Sequence, residues 1–143
     1  MPTPISPQEA VRLGVTPLHE RMDNGEYRFR LRHEDGSSYI RTQAAESSGW
    51  QNSHLHRVTL ELNVIQEGTM ILVEDLGGAP VITVLGPGDS FLSKPGVPHN
   101  SYLLPGTVAH TVKLSCPPEG DWVPCPALDP ICAALDIEKI LNP

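Results

Sequence analysis

The stretch that decides the fold is His54-Leu55-His56-Arg57-Val58-Thr59-Leu60-Glu61. In an extended strand, side chains two residues apart point to the same face. His54 and His56 therefore project together, about 6.6 Å apart along the chain. Two imidazoles so spaced can lean onto one metal ion at the usual metal–nitrogen length of about 2.0–2.1 Å. Glu61 has the wrong parity for a regular strand, and a bulge between His56 and Glu61 would return its carboxylate to the histidine face. A fourth ligand has to come from a different strand. His99, in Pro95-Gly96-Val97-Pro98-His99, is the candidate. With 6 histidines in 143 residues, the spacing HxHx4E arises by chance in roughly 2% of shuffled chains, and asking also for Gly68 lowers that to about 0.1%. Taken alone, His54 and His56 read better as polar residues on a solvated strand face. Glu61, the glycines and His99 together favour a metal. His19 and His33 read as surface residues.

Around this stretch the chain is cut into short pieces by 15 prolines and 12 glycines. Strand candidates run from Val58 to Gln66, Thr69 to Glu74 and Pro80 to Leu85, then around Ser90-Phe91-Leu92, from Asn100 to Leu104 and from Val108 to Leu114. Glu67-Gly68, Gly77-Gly78 and Gly86-Pro87-Gly88-Asp89 close the first three. Upstream, Tyr27, Phe29 and Leu31 alternate with Arg28, Arg30 and Arg32, the period of a strand. Asp35-Gly36 is a hairpin turn, with Ser38 to Thr42 returning. Short strands at regular spacing argue for an antiparallel sandwich or small barrel. Ser6-Pro7-Gln8-Glu9 reads as a capped helix start, ended by Gly14. Asp129-Pro130 opens a closing helix whose apolar stripe is Ile131, Leu135 and Ile140 or Leu141. The expected organisation is one domain over 1–143: an N-terminal segment (1–25), a barrel (26–115) and a tail with a C-terminal helix (116–143).

The net charge is -7, with a pI near 5.2. Such a surface repels phosphate backbones and anionic lipid, so neither nucleic acid nor a membrane is an expected partner. A local basic patch at Arg28, Arg30 and Arg32 is the one exception. Cys116, Cys125 and Cys132 match no zinc knuckle and read as free thiols, with a Cys125–Cys132 bridge as the minor alternative. No signal peptide or membrane-length apolar run is evident, so the chain reads as cytoplasmic.

At this point the residues resemble the cupin family. Its first motif corresponds to Gly49, His54, His56, Glu61 and Gly68, and its second to Gly88-Asp89 through Gly96 to His99. The resemblance covers about Gly49 to Lys113. The spacing from Gly49 to His54 is one residue short, the proline before the second-motif glycine is displaced to Pro95, and Leu103 replaces the usual asparagine. These departures touch loops and the pocket wall. The resemblance implies an all-β double-stranded antiparallel β-helix, a jelly-roll barrel. It also implies His54, His56, Glu61 and His99 as metal ligands, and a homodimer formed through an early strand such as that of Tyr27, Phe29 and Leu31.

Three neutral imidazoles and one carboxylate suit one divalent transition metal (Fe, Mn, Ni, Zn or Cu) and disfavour Ca or Mg. Four protein ligands leave an open position for substrate or dioxygen. The expected function is a metal-dependent enzyme acting on a small organic molecule, of dioxygenase, lyase or isomerase type. The alternative is a metal or small-molecule binding or sensing module without turnover. Glu61 is a candidate base, and Tyr102 and His110, following His99 into the closing strands, are candidate general acids or bases with packing as their other reading. Gln51, Asn52 and Asn63 are candidate acceptors for the second ring N–H of the histidines. Trp50 reads as a packing residue, with the pocket wall or an interface as alternatives.

Overall fold

The structure, a computed structural model, describes residues 1–44, 46 and 49–143. Ser6 caps α1 (Pro7–Arg12) by accepting the Glu9 N–H at 3.1 Å, and Pro7 sits where a helix has no use for an N–H. Strands β1 (Val15–Pro17) and β2 (Glu20–Arg21) precede β3 (Tyr27–His33), which turns at Asp35-Gly36 into β4 (Ser38–Gln43). Then come β5 (Gly49–Trp50), β6 (His54–His56), β7 (Leu60–Glu67), β8 (Met70–Glu74) and β9 (Val81–Leu85). The strands β10 (Ser90–Ser93), β11 (His99–Leu103), β12 (Val108–Leu114) and β13 (Trp122–Pro124) complete the set. One sheet has the order β1-β3-β4-β12-β7-β10 with β2 beside β3; the other is β13-β6-β11-β8-β9 with β5 beside β11. This is the all-β jelly roll expected. The strand β13 comes from the stretch read as tail, and it extends the second sheet beside β6.

The barrel interior changes character along its length. Inward positions on β7 run Glu61, Asn63, Ile65, and those on the antiparallel β12 run Lys113, Thr111, Ala109. Ile65 and Ala109 join Met70, Leu72, Leu85 and Leu103 in a core that Phe91 flanks. The Glu61 and Lys113 end is instead hollow and polar, enclosing a cavity of about 410 Å³. Gly68 makes the tight passage from β7 to β8 possible. Its φ is +79°, and a Cβ there would meet the Thr107 Cα at 2.6 Å.

The two outer faces differ. The second sheet is covered by the chain's own tail: Trp50, Tyr102, Ile71 and Val73 pack with Leu128, Cys132, Leu135 and Ile140. The single closing helix expected is two short ones, α2 (Asp129–Ala133) and α3 (Ile137–Leu141), because Asp136 caps the second by accepting the Lys139 N–H at 3.1 Å. Asp129 turns to the barrel, where its carboxylate accepts the Ser53 N–H at 3.1 Å. Cys116, Cys125 and Cys132 are free.

The first sheet shows a reversal of the usual inside-out pattern. Tyr27, Phe29 and Leu31 face outward, 41%, 39% and 47% exposed, while Arg28 and Arg30 line the cavity. A row of partners, Leu31–Tyr39–Val112–Leu62–Leu92, crosses five strands on the outer face. Edge pairing of β3 with a second copy is not open to this chain. β1 occupies its outer edge from Leu31 to His33, and β2 does so at Tyr27 and Arg28.

Candidate metal centre

The HxHx4E stretch crosses from one sheet to the other; it is not one bulged strand. His54 and His56 lie on β6 in the second sheet, and Glu61 lies on β7 in the first. Arg57 to Thr59 make the crossing, and one carboxylate pins it. Asp121 accepts the Val58 N–H at 2.8 Å, the Thr59 N–H at 3.0 Å and the His56 Nδ1–H at 3.0 Å, together with the Thr59 hydroxyl. His99 enters from β11, directly paired with His54, with ring centroids 4.5 Å apart. Ligand atoms of His54, Glu61 and His99 all lie within 4.8 Å of one another, a group that can hold a metal ion. His56 stands beside this trio, with Nε2 2.8 Å from Glu61 Oε1. His99 Nε2 is 3.7 Å from the same oxygen.

The tautomers follow from the partners. A backbone carbonyl only accepts, so His54 donates from Nδ1 to Asn52 O at 2.8 Å and His99 donates from Nδ1 to Val97 O at 3.0 Å. Asp121, a carboxylate, likewise fixes the proton of His56 on Nδ1. In all three rings Nε2 is the nitrogen turned away from these bonds, and those of His56 and His99 lie at Glu61. His56 Nε2 is buried and makes no aligned hydrogen bond among the described residues, despite its 2.8 Å approach to Glu61. A lone pair facing a carboxylate requires a cation between them, either a proton or a metal ion. The residues present fit a divalent metal: the imidazoles of His54 and His99 and the Glu61 carboxylate converge, and the His56 imidazole stands beside them against Glu61.

The electrostatics agree. Burial alone would raise the Glu61 carboxyl, but His56, His99 and the Lys113 ammonium, 3.6 Å away, outweigh it and hold it well below the usual carboxylate range. Burial pushes His54 down to about 4, against the opposing pull of its Asn52 hydrogen bond, so its ring is neutral at neutral pH. For His56 burial also acts downward, yet Glu61 and Asp121 prevail and raise it. Burial works against the Asp121 carboxyl too, but the donors from Thr59, Val58 and His56 lower it overall.

The other candidates fall elsewhere. Tyr102 packs edge-on against Trp50, ring centroids 5.1 Å apart, under the tail helices. His110 has the opposite parity to Ala109, Thr111 and Lys113. It stacks on Tyr39 on the outer face and bonds Tyr39 Oη and Gln66 Oε1, both at 2.6 Å. Neither residue is among those lining the cavity. Of the three proposed acceptors for the histidines, Asn52 serves through its backbone oxygen. Gln51 instead donates to Glu26, and Asn63 accepts from Thr111. Sequence reasoning missed Asp121, Lys113 and Trp122, whose ring stacks on His54 at 5.5 Å in the cavity wall. The parity of Val108 to Leu114 would have found Lys113. Nothing in the sequence marks Asp121 or Trp122.

Comparison with known proteins supports the fold independently. KdgF from Halomonas sp. aligns over 67% of this chain and 84% of its own at 14% identity, TM-score 0.57. The cupin domain of Drosophila melanogaster CENP-C covers 78% of this chain and 85% of its own at 13% identity, TM-score 0.57. Bacillus subtilis oxalate decarboxylase, which has Mn(II) centres, covers 88% of this chain at 17% identity and TM-score 0.61; the match spans 37% of that enzyme. The fold of this chain is the cupin jelly roll. No protein-family model and no curated protein sequence matches it.

Proposed function

We propose that this chain is a metal-dependent enzyme acting on a small organic molecule, with His54, His56, Glu61 and His99 holding one divalent transition metal. The observation that carries this reading is the convergence of His54, Glu61 and His99, whose ligand atoms lie within 4.8 Å of one another at the wall of a cavity of about 410 Å³. A bound metal would supply Lewis-acid polarisation of a substrate oxygen. Asp121, Asn52 and Val97 orient the imidazoles. Lys113 lines the cavity beside Glu61 and stabilises negative charge developing on substrate. With Tyr102 and His110 outside the cavity, binding without turnover is the second reading. Of the similar structures, CENP-C bound to CAL1 is a protein complex.

A depletion screen tests this. Metal-loaded protein is incubated with a mixture of small acids, alcohols and ketones, followed by mass spectrometry. Consumption that chelation and Glu61→Gln both abolish supports an enzyme. Consumption that survives metal removal contradicts it, and metal binding with no consumption favours the second reading.

The partner we propose is a second copy of this chain, meeting the outer face of the first sheet. The tail covers the other sheet, whereas Leu31, Leu62 and Leu92 of the crossing row stay 47%, 40% and 54% exposed. An exposed apolar row of this kind suits an interface, and a two-fold arrangement lets it cover itself.

A further inference from the structure

Building on the metal-dependent reading, we propose that the cavity takes an organic acid. One carboxylate is held by Arg30, with Lys113 contributing charge, while another oxygen of the same molecule reaches the metal centre.

The cavity is lined by three cations, Arg28, Arg30 and Lys113, and one carboxylate, Glu61. These cations are not equally satisfied. Arg28 is paired at 3.1 Å with buried Glu26, which also receives Gln51 at 3.2 Å. Lys113 lies 3.6 Å from Glu61, whose charge a bound metal would share. Arg30 has the weakest arrangement. Among the described residues its Nη1 reaches the outlying, 55% exposed Glu20 at 3.4 Å. Its Nε is buried without a hydrogen-bond partner among the described residues.

A buried N–H of a charged group with no acceptor is costly unless a ligand supplies one. An arginine presents Nε–H and an Nη–H as a planar fork, the shape that a carboxylate accepts with both oxygens. Placement holds the two ends of the acid apart. Arg30 pairs with Ile40, Ile40 with Thr111 and Thr111 with Asn63, so β3 stands three strands from β7, which carries Glu61. That is about 14 Å between backbones, so the carboxylate and the metal-bound oxygen belong to separate parts of one small molecule. Ile40, Met70 and Phe91 line the space between as apolar cover for its carbon skeleton.

Calorimetric titration with L-malate and with its uncharged diamide, malamide, tests the proposal. Both metal-stripped and Mn(II)-loaded protein are used, as wild type, Arg30→Gln and Arg30→Lys, with circular dichroism confirming the fold of each. Malate is expected to bind about tenfold or more tightly than malamide in wild type, and Arg30→Gln to erase that preference. Mn(II) affinity should stay unchanged in Arg30→Gln, and Arg30→Lys should recover part of the preference. Equal binding of malate and malamide, no binding of either, a preference retained in Arg30→Gln, or tighter binding of inorganic phosphate than malate would each overturn it. The two readings fail separately. Absent Mn(II) binding sinks the metal centre, while the malate preference is still read in the stripped protein.

Discussion

The Asp121 carboxylate holds the His56 imidazole by a 3.0 Å bond to Nδ1, and so decides which nitrogen faces Glu61. The same carboxylate carries the Val58 and Thr59 amides at the crossing between sheets. Asp121→Ala should therefore lower metal affinity about 10- to 100-fold through loss of the fixed tautomer. It should also lower the melting temperature, since the Val58 and Thr59 amides lose their acceptor. A metal titration beside a thermal melt checks both. Unchanged affinity would mean that His56 is not a ligand.

The metal-free protein should weaken in acid. His54, held at about 4 when folded against an ordinary 6.5, takes up its proton in the unfolded chain first. Stability contributed by its neutral ring is thus lost as pH falls from 6.5 toward 4. Asp121, lowered in the fold, loses its contribution at still lower pH. The raised His56 acts in the other sense: its contribution is present below its ordinary value and fades as pH rises through the folded one. Melting temperatures of chelator-treated protein should drop between pH 6.5 and 4, and His54→Gln should flatten that slope. An identical slope in the variant would contradict the assignment.

Gly68→Ala should destabilise the barrel by about 3 kcal/mol, because the new Cβ takes a left-handed φ and collides with the Thr107 backbone. Chemical denaturation measures it. A cost below about 0.5 kcal/mol would show that the turn from β7 to β8 can relax.

Leu62 lies at the middle of the exposed row, between Val112 and Leu92. Leu62→Asp should convert a dimer to a monomer in light scattering after size exclusion, with metal content unaffected because the side chain points away from the cavity. Wild type running as a monomer would remove the proposed interface.

The strands were legible because turn residues separate them, and His54, Glu61 and His99 were legible because their spacing is rare. What escaped notice depends on tertiary placement. The alternation of Tyr27, Phe29 and Leu31 with arginines marked a strand correctly, but apolar residues normally go inward, and here the cavity claims Arg28 and Arg30. His110 looked available by proximity to His99 in sequence; strand parity turns it outward onto Tyr39. Asp121 reaches His56 across 65 residues of chain, a distance no local pattern reports.

The most direct measurement is metal content after loading and dialysis, in wild type and in His54→Ala, His56→Ala and His99→Ala. About one ion per chain is expected in wild type, falling below about a tenth in His54→Ala and His99→Ala and strongly reduced in His56→Ala, with barrels still folded. Wild-type protein that retains no metal, or a His99→Ala variant that retains it all, would contradict the centre.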